Sequence, residues 1–277
     1  MSNMFMKDID ENEAQGAKVI AFVHHKGGTG KTTSCLNIAG WLIKMNKKVL
    51  VVDLDPQGNA TAGLGVDRRT LDNSIYDVFF GQKNIEELIL ETDSGVQLAP
   101  SSLDLLAAEV HMAGRINNTS LLKKKLDNLE KHFDYILIDV PPGSTLLMIN
   151  GIVASENIII PLDSGVFAYE TMETLKTLVI DLNEEVGVET NIMMVLLREY
   201  STSIFDKGTT RGINKLLRDF LTVNNIPSVK IFTIPFSRKT FKAQMRGMPI
   251  SHQAPFSNIG RAYKEIAKEV LNYEWRI

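Results

Sequence analysis

A glycine-rich segment between a predicted strand and a predicted helix constrains this chain more than any other feature of its sequence. Residues 26–33 read Lys-Gly-Gly-Thr-Gly-Lys-Thr-Thr; an apolar run at 19–23 precedes them and a helical pattern at 34–44 follows. A strand, a glycine-rich loop and a helix in this order present backbone N–H groups and a helix N-terminus to a polyphosphate. The segment therefore predicts a site for nucleotide phosphates; the alternative is a glycine-rich turn with solvated lysines.

The residue types in this loop suit phosphate binding and leave one cation over. The glycines let the backbone wrap closely around phosphate groups, because they tolerate left-handed conformations. Lys31 supplies a point charge to the β- and γ-phosphate oxygens, and Thr32 supplies a hydroxyl for a Mg²⁺ ion. Lys26 is surplus to such a cradle, and a second cation at the mouth of the loop suits the nucleotide of a neighbouring subunit.

A second segment places two carboxylates at the end of an apolar strand. Asp53 and Asp55 are separated by one residue, so their side chains point to the same face. Pro56 ends the strand and Gly58 permits a turn. Carboxylates beside a phosphate loop, at the carboxyl edge of an α/β sheet, suit the handling of a metal ion and a water. The alternative is that both are ordinary turn residues.

A third segment joins another apolar strand to a carboxylate. The run Tyr135–Ile138 leads into Asp139, and Pro141 and Pro142 follow closely. A carboxylate at this position typically holds Mg²⁺ through a coordinated water. Because an apolar strand followed by Asp occurs in many unrelated proteins, the weight of this segment comes from its place after the other two.

Taken in order, the three segments resemble the ParA/MinD group of P-loop ATPases. Residues 26–32 match the deviant Walker A motif of that group, K-G-G-x-G-K-[ST], in full, with His25 at the first glycine of the general pattern. Residues 53–57 match the D-x-D-P-Q form of its Walker A′ motif. Residues 139–142 match the D-x-P-P ending of its Walker B strand, although Gly143 stands where family members usually carry Ser or Ala. The resemblance covers nearly the whole chain and implies an ATPase that uses ATP and Mg²⁺.

The resemblance also implies roles for individual residues. Lys26 would act in trans, so that ATP is held between the subunits of a homodimer, and Asp55 would position or activate the attacking water. The implied catalytic residues are Lys26, Lys31 and Asp55, and the residues implied to serve the metal ion are Thr32, Asp53 and Asp139. The implied ATP contacts are Lys26, Gly27, Gly28, Thr29, Gly30, Lys31, Thr32, Thr33, Pro235 and Phe236.

The contacts to the base rest on a pattern near the end of a later strand. Ile234-Pro235, followed by Met248–Ile250, is similar to the family pattern at this point, which makes Pro235 and Phe236 candidate contacts. Lys242 replaces the glutamate that the family carries between these two landmarks. The alternative is that Pro235 simply ends an edge strand.

The order of apolar runs predicts the fold class. Near-continuous apolar strands alternate with helical patterns, which indicates a parallel sheet covered on both faces. We expect a single, predominantly parallel, doubly wound α/β domain of the P-loop NTPase type at 18–277, after a disordered acidic tail at 1–17. The predicted strands are 18–24, 48–53, 135–139, 157–161, 191–197 and 229–234. The predicted helices are 32–45, 102–113, 119–131, 145–154, 168–186, 210–224 and 258–271.

The charge of the chain is distributed unevenly. Residues 198–277 carry 14 Lys and Arg against 6 Asp and Glu, although the whole chain has a net charge of −3. A basic C-terminal third suggests a local contact with a polyanion. Clustered Lys and Arg side chains on phosphates give sequence-independent, salt-sensitive binding to DNA; a solvated helix face is the alternative. The candidate DNA-binding residues are Arg211, Lys215, Arg218, Arg238, Lys239, Lys242 and Arg246.

Several function classes are disfavoured by what the sequence lacks. The single cysteine, Cys35, allows neither a disulfide nor a cysteine metal cluster, and the 5 histidines show no ligand spacing. These counts weigh against a metabolic or metal-insertion ATPase of the same superfamily. We expect a cytoplasmic protein, because no apolar run approaches the length of a membrane span and the N-terminus lacks the apolar core of a signal peptide. Nucleoid association is expected from the DNA-binding hypothesis.

Two hypotheses about the target of the ATPase remain once these function classes are set aside. In the first, the ATP-bound homodimer binds non-specific DNA and releases it on hydrolysis, for DNA segregation or cargo positioning, with a ParB-like or other adaptor protein that stimulates hydrolysis. In the alternative, the chain is a MinD-type membrane-associated site-selection ATPase, which needs an amphipathic C-terminal helix. Glu269 and Glu274 interrupt the apolar positions of the last residues, whereas Tyr273 and Trp275 keep this alternative open. We therefore expect DNA binding and regard membrane binding as the weaker hypothesis.

Overall fold

The computed structural model describes most of the 277 residues. The described residues are 16–127, 129–155, 157–165, 167–199, 201, 203–224 and 229–275. Most of the predicted acidic tail, residues 1–15, lies outside the described residues. Ala17, which we expected to belong to the tail, is buried against the core.

Within the described residues, eight strands form one sheet in the order β3-β4-β2-β5-β1-β6-β7-β8, and every pairing is parallel except that of β3 with β4. The strands are β1 (Lys18–Phe22), β2 (Val49–Asp53), β3 (Leu90–Glu91), β4 (Gln97–Ala99), β5 (Tyr135–Asp139), β6 (Asn157–Asp163), β7 (Asn191–Arg198) and β8 (Lys230–Ile234). The helices are α1 (Lys31–Lys44), α2 (Asn59–Gly63), α3 (Ile75–Phe79), α4 (Leu105–Ala113), α5 (Leu121–Leu126), α6 (Leu146–Val153), α7 (Ala168–Val186), α8 (Ile204–Val223), α9 (Arg238–Gln244), α10 (Ile250–Gln253) and α11 (Asn258–Asn272).

The alternation of side chains along β1 divides the core into two layers. Val19 and Ala21 belong to one buried cluster, which α3 to α8 cover, whereas Ile20 and Phe22 belong to a second cluster, which α1, α10 and α11 cover. Successive side chains of a strand point to opposite faces of its sheet. Both faces of the central strands therefore need apolar residues, which explains the near-continuous apolar runs of the sequence.

The predicted fold class is confirmed, with differences at the ends of several elements. Helix α8 begins at Ile204 and not at residue 210, since Gly208 weakens the helical pattern of the sequence there. The predicted helix 119–131 is divided into α5 and a 3₁₀ turn at Leu129–Lys131. Strands β3 and β4 and helices α2, α3 and α10 were not predicted, because none has more than five residues.

The parallel register brings the three sequence motifs to one edge of the sheet. Strand β5 lies between β1 and β2, with Phe22 and Asp53 both opposite Asp139. The carboxyl ends of these three strands therefore meet, and the glycine-rich loop that follows β1 lies beside both carboxylates. Ligands of open α/β sheets bind at this edge, where neighbouring connections run in opposite directions.

Candidate active site

The glycine-rich loop leads directly into α1 and leaves the start of that helix open to a ligand. Gly28 and Gly30 have φ angles of 77° and 98°, which are left-handed conformations that favour glycine. Gly30 occupies the N-cap position of α1 and has no side chain, and no side chain of the described residues caps the first N–H groups there. Unpaired N–H groups and the positive end of the helix dipole attract phosphate.

A cleft of about 650 Å³ opens above this loop. Its volume lies in the range of small-molecule sites, roughly 300–1,000 Å³. The cleft is lined by Gly27, Gly28, Gly30, Lys31, Thr32, Thr33, Asp55, Gln57, Asn59, Ala62, Gly63, Pro142, Arg198, Phe241, Gln244 and Met245. Most of the predicted phosphate contacts therefore face one cavity.

The two lysines of the loop lie in different environments. Lys31 lines the cleft, is buried, and donates a hydrogen bond from Nζ to the backbone oxygen of Lys26 at 3.2 Å. Desolvation lowers the pKa of Lys31, while Asp139 and Asp55 oppose this shift. Lys26 is exposed, does not line its own cleft, and holds its ammonium 4.6 Å from the ring centroid of Phe167. Only one of the two lysines is thus directed at the subunit's own cleft.

Thr32 and Asp139 form the part of the site that suits a magnesium ion. The Thr32 hydroxyl donates to Oδ2 of Asp139 at 2.6 Å, and Oδ1 of Asp139 is buried without a hydrogen-bond partner among the described residues. Desolvation, with the neighbouring Asp53, raises the pKa of Asp139 well above its usual value. A buried carboxylate with an unpaired oxygen fits a site that gains a cation. Mg²⁺ typically takes one or two protein ligands, phosphate oxygens and waters, which matches this set.

Asp53 lies behind the cleft and braces its wall. Its Oδ2 accepts hydrogen bonds at 2.8 Å from both the backbone N–H and the hydroxyl of Thr61, and its Oδ1 accepts one from the N–H of Asp55 at 3.1 Å. Burial raises the pKa of Asp53 to about 7, although the Thr61 hydrogen bonds act in the opposite direction. Asp53 is not among the residues that line the cleft.

Asp55 is the carboxylate that faces the cleft. Its Oδ1 accepts a hydrogen bond from the N–H of Gln57 at 2.9 Å, and its backbone oxygen accepts one from the Ser101 hydroxyl at 2.6 Å. The side chain is buried at 7% exposure and is held by the turn that Pro56 and Gly58 begin. Asp55 thus lines the same cleft as Lys31 and Thr32, and its role beside the attacking water stays a prediction.

The candidate base contacts line a second, smaller cavity. Pro235 and Phe236 border a space of about 180 Å³, whose walls also include Thr33 and Arg198 of the main cleft. The two cavities therefore adjoin each other. Lys242 lies on the exposed side of α9, so the residue that replaces the family's glutamate is not among those lining either space.

Sequence reasoning missed several polar residues of the site, among them Arg198, Gln244 and His24. Arg198, the last residue of β7, donates to the Gly28 backbone oxygen at 2.9 Å, and Gln244 of α9 donates to the Thr33 hydroxyl at 3.1 Å. His24 accepts the N–H of Lys26 at its Nδ1, 2.9 Å away; burial, with the nearby His25, lowers its pKa to about 3. None of the three belongs to a sequence motif. Arg198 and Gln244 act through contacts that form only when the chain folds, and His24 acts through the ring nitrogen that accepts a hydrogen bond.

The backbone conformation at Gly143, where the family usually carries Ser or Ala, favours glycine. Its N–H donates to the backbone oxygen of His25 at 2.8 Å, and its φ angle is 94°. A serine or alanine would be strained in this left-handed conformation. The glycine therefore ties the turn after β5 to the phosphate loop.

The candidate DNA-binding residues form two exposed groups, one on α8 and one on and just after α9. Arg211, Lys215 and Arg218 border one groove of about 440 Å³ on α8, so the three share a face of that helix. Arg238, Lys239 and Lys242 are exposed on α9, and Arg246 follows that helix and donates to Gln253 at 2.9 Å. Glu199 borders both the groove on α8 and a smaller groove beside Lys239.

The C-terminal helix directs its apolar side chains into the core. Ile259, Tyr263, Ile266 and Val270 of α11 are buried. Trp275 is partly buried, with its ring 6.3 Å from that of Tyr135 between centroids. No helix among the described residues combines the length and the apolar character needed to cross a membrane.

Comparisons with known proteins show the family to which this chain belongs. Residues 17–194 match a family described as an AAA domain. The sporulation initiation inhibitor protein Soj of Bacillus subtilis is 32% identical over 260 residues, which cover 91% of this chain and 98% of that protein. The chromosome-partitioning ATPase Soj of Treponema pallidum is 32% identical over 257 residues, covering 92% and 97%. This chain belongs to the ParA/MinD superfamily of P-loop ATPases.

Solved structures are similar to this ATPase over almost its full length. Cobyrinic acid a,c-diamide synthase from Mycobacterium smegmatis, with bound ATP analogue and magnesium, has a TM-score of 0.76 at 27% identity and covers 92% of this chain and 95% of its own. The septum site-determining protein MinD of Pyrococcus horikoshii, complexed with Mg-ADP, has a TM-score of 0.72 at 25% identity and covers 92% and 96%. A complex of a Cyanothece McdA variant with ATP, at 24% identity, a TM-score of 0.78 and coverage of 95% and 99%, bears on the fold alone. The cofactors of this ATPase are ATP and Mg²⁺.

Proposed function

We propose that this ATPase segregates DNA or positions cargo inside the cell, by forming an ATP-bound homodimer that binds DNA without sequence preference and releases it after hydrolysis. The observation that carries the proposal is the position of α9. Phe241 and Gln244 of this helix line the nucleotide cleft, while Arg238, Lys239 and Lys242 are exposed on it. One short helix thus belongs both to the nucleotide site and to a basic surface.

The hydrogen bond between Gln244 and Thr33 gives this helix a direct link to the phosphate loop. The amide Nε2 of Gln244 lies 3.1 Å from the Thr33 hydroxyl, at the start of α1. A change in the conformation of the loop, when ATP binds or is hydrolysed, would therefore be transmitted to α9 through this hydrogen bond. In this way the nucleotide state can alter the basic surface without a separate relay.

The position of Lys26 supports action across a dimer interface. Its ammonium lies outside its own cleft, beside the exposed ring of Phe167. Phosphoryl transfer depends mainly on positioning and charge neutralisation, and a cation supplied in trans by an arginine finger raises the rate by about 10³–10⁵. Two-fold symmetry would deliver each Lys26 to the nucleotide of the other subunit. Hydrolysis of the γ-phosphate then removes a tie between the subunits.

Apart from the Lys26 of the other subunit, hydrolysis is assigned to residues in and around one cleft. Lys31 neutralises charge on the β- and γ-phosphates, and Asp55 orients the attacking water. Bound Mg²⁺ supplies further positive charge to the phosphate oxygens, and Thr32 and Asp139 are the residues that would hold it. Asp53 keeps Asp55 in place through the hydrogen bonds of the turn.

Binding to DNA follows from the charge and exposure of the two basic groups. Seven exposed Lys and Arg side chains lie on α8, on α9 and just after α9. Side chains of this kind contact phosphates and release counterions, which makes affinity independent of sequence and sensitive to salt. The Treponema pallidum relative, named as a chromosome-partitioning ATPase, supports this assignment. We place the protein in the cytoplasm, at the nucleoid, with a ParB-like or other adaptor that stimulates hydrolysis.

The membrane alternative has less support from the structure. The MinD of Pyrococcus horikoshii is a structural neighbour, but the apolar face of α11 in this chain is packed on the core. Tyr135 and Lys18 contact Trp275, one of the two aromatic residues that kept the alternative open. Membrane binding would need this packing to be undone.

Co-sedimentation distinguishes the two targets. Purified protein is mixed with random-sequence duplex DNA or with vesicles of anionic phospholipid, each with ATP, with ADP or without nucleotide. Sedimentation with DNA only in the presence of ATP supports the proposal. Sedimentation with vesicles and not with DNA would assign the protein to the membrane-associated branch.

A further inference from the structure

Arg198 occupies a position that the sequence motifs of the site do not account for. It is the last residue of β7, where its register partners are Asp163 at the end of β6 and Ile234 at the end of β8. From there its side chain lines both the main cleft and the cavity beside Pro235. We propose that Arg198 contacts the bound nucleotide and donates hydrogen bonds to the phosphate group nearest the ribose, the α-phosphate.

The guanidinium is held in place by two anchors. Nε and Nη2 both donate to Oδ1 of Asp163, at 3.0 and 2.7 Å, and Nη2 also donates to the backbone oxygen of Gly28 at 2.9 Å. Fork-like contacts between arginine and a carboxylate fix the plane of the guanidinium as well as its position. Asp163 is therefore a positioning residue for Arg198.

One amino group of the guanidinium is left over by these contacts. Nη1 donates no hydrogen bond within the described part of the chain, and it lies 3.9 Å from the point where a Cβ atom on Gly30 would stand. Gly30 is the residue at which α1 begins. The remaining donors of Arg198 thus lie next to the phosphate loop.

The path of the nucleotide identifies the group that these donors meet. With the β- and γ-phosphates in the loop and the base beside Pro235 and Phe236, the α-phosphate and the ribose must lie between the two cavities. Arg198 and Thr33 are the residues that line both. An arginine is always charged, carries only donors and matches phosphate oxygens geometrically, so the α-phosphate is its natural partner. The contact rests on the proposed function of the cleft and on the position that it gives the base.

This assignment has a consequence that separates Arg198 from the two lysines of the loop. The α-phosphate is present in both ATP and ADP, so Arg198 stabilises both bound states alike. Contacts to the γ-phosphate, by contrast, favour ATP alone. Arg198 should therefore hold the nucleotide through the hydrolysis cycle without sensing which nucleotide is bound.

The test measures dissociation constants of Mg-ATP and Mg-ADP by calorimetry for wild type, Arg198→Ala and Arg198→Lys. Arg261→Ala, which removes an exposed arginine of α11 outside the cleft, is the matched control. A charge-assisted hydrogen bond is typically worth enough to change affinity by about 10- to 100-fold. We expect Arg198→Ala to weaken ATP and ADP by the same factor in this range, and the control to bind like wild type. Unchanged affinities, or a loss confined to ATP, would overturn the proposal, whereas wild type that binds neither nucleotide would overturn the proposed function itself.

Sulfur substitution on the nucleotide separates contact with the α-phosphate from contact with the base. ADP carrying sulfur on its α-phosphate should bind wild type more weakly than ADP in at least one diastereomer, and this penalty should shrink in the Arg198 variants. Equal penalties in wild type and variants would contradict an α-phosphate contact. If Arg198→Ala does not fold, Arg198→Lys carries the same comparison, since its single ammonium cannot serve both anchors and the phosphate.

Discussion

The Thr32 hydroxyl and Asp139 Oδ2 lie 2.6 Å apart, although the two residues are 107 positions apart in the chain. This hydrogen bond connects the start of α1 to the end of β5. It also leaves Oδ1 of Asp139 buried without a partner among the described residues. A cation bound beside this pair would neutralise the buried carboxylate and give its Oδ1 atom a partner.

Asp139→Asn should separate stability from activity. Because the carboxylate is desolvated and its pKa is raised, its replacement by a neutral amide should leave the free energy of unfolding of the nucleotide-free protein unchanged or higher. Hydrolysis of Mg-ATP should fall by about 100-fold or more, since charge near the phosphates is lost. Denaturant unfolding and phosphate release measure the two effects. A variant that hydrolyses ATP normally would contradict the metal role of Asp139.

Asp55→Ala should keep the protein in its ATP-bound state. The side chain lines the cleft, and within the described residues its carboxylate accepts a hydrogen bond from Gln57 and none from the phosphate loop, so ATP binding should persist. Turnover should fall by about 10²–10⁴-fold, the range for loss of a group that handles the proton of the reacting water. Single-turnover kinetics with a measured ATP affinity tests this. Normal turnover would remove Asp55 from the catalytic residues.

Asp53→Ala provides the contrast to Asp55→Ala. Three hydrogen bonds end on the Asp53 carboxylate, and they hold Asp55 and Thr61 in the turn. Leaving these buried donors unsatisfied should cost about 1–3 kcal/mol of the free energy of unfolding. Thermal unfolding should therefore respond to Asp53→Ala much more strongly than to Asp55→Ala.

Lys26→Ala should bind ATP and fail to form the homodimer. Lys26 lies outside its own cleft, so its loss should change ATP affinity little, whereas loss of Lys31 should abolish binding. Light scattering in the presence of ATP, with Lys31→Ala as the comparison, measures the oligomeric state. A Lys26→Ala protein that still dimerises with ATP would refute the action in trans.

Arg211→Ala and Lys239→Ala should each weaken DNA binding and reduce its dependence on salt. Each removes an exposed cation, one from the groove on α8 and one from α9. Loss of one phosphate contact should lower the slope of log K against log salt by about 1. Lys268→Ala, which removes an exposed lysine paired with Glu265 on α11, is the control. Equal slopes in wild type and all three variants would show that these grooves do not contact DNA.

Acidification should destabilise the fold partly through His24. Its pKa is about 3 in the folded protein, below the ordinary value of 6.5, because burial and the neighbouring His25 disfavour the charged ring. Between these values the unfolded chain binds more protons, so the contribution to stability is complete above pH 6.5 and is lost as the pH falls towards 3. His24→Asn should flatten the decline of unfolding free energy with acid, by at most about 1.4 kcal/mol per pH unit. If the unfolding free energy of His24→Asn falls with acid as steeply as that of wild type, the view that His24 is buried as a neutral ring would be contradicted.

The parts of the fold that the sequence predicts correctly are those with long local signals. The strand 135–139 and the helix 168–186 were predicted with the bounds that the structure shows. Apolar residues define the strand, and apolar periodicity together with Gly187 at the C-terminal end defines the helix. Strands β3 and β4 have two and three residues, too few for any periodicity. Their pairing depends on contacts with β2 that no local pattern encodes.

The same distinction applies to the candidate site. The positions of the loop, Asp55 and Asp139 could be predicted because each motif lies directly after its strand, and parallel strands bring their ends together. Arg198 could not, since its partner Gly28 is 170 residues away in the chain and an arginine at a strand end belongs to no motif. The role of Asp53 as a brace also depends on Thr61, which lies in a helix too short to be predicted.

The affinity for random-sequence duplex DNA with saturating ATP, compared with that in ADP, tests the central claim most directly. Fluorescence anisotropy of a labelled duplex, over a range of salt concentrations, gives both the affinity and the salt slope. We expect tight binding only with ATP, a steep loss with added salt, and no ATP-induced binding by Lys26→Ala. Equal affinities with ATP and ADP would contradict an ATPase that carries DNA in one nucleotide state and releases it in the other.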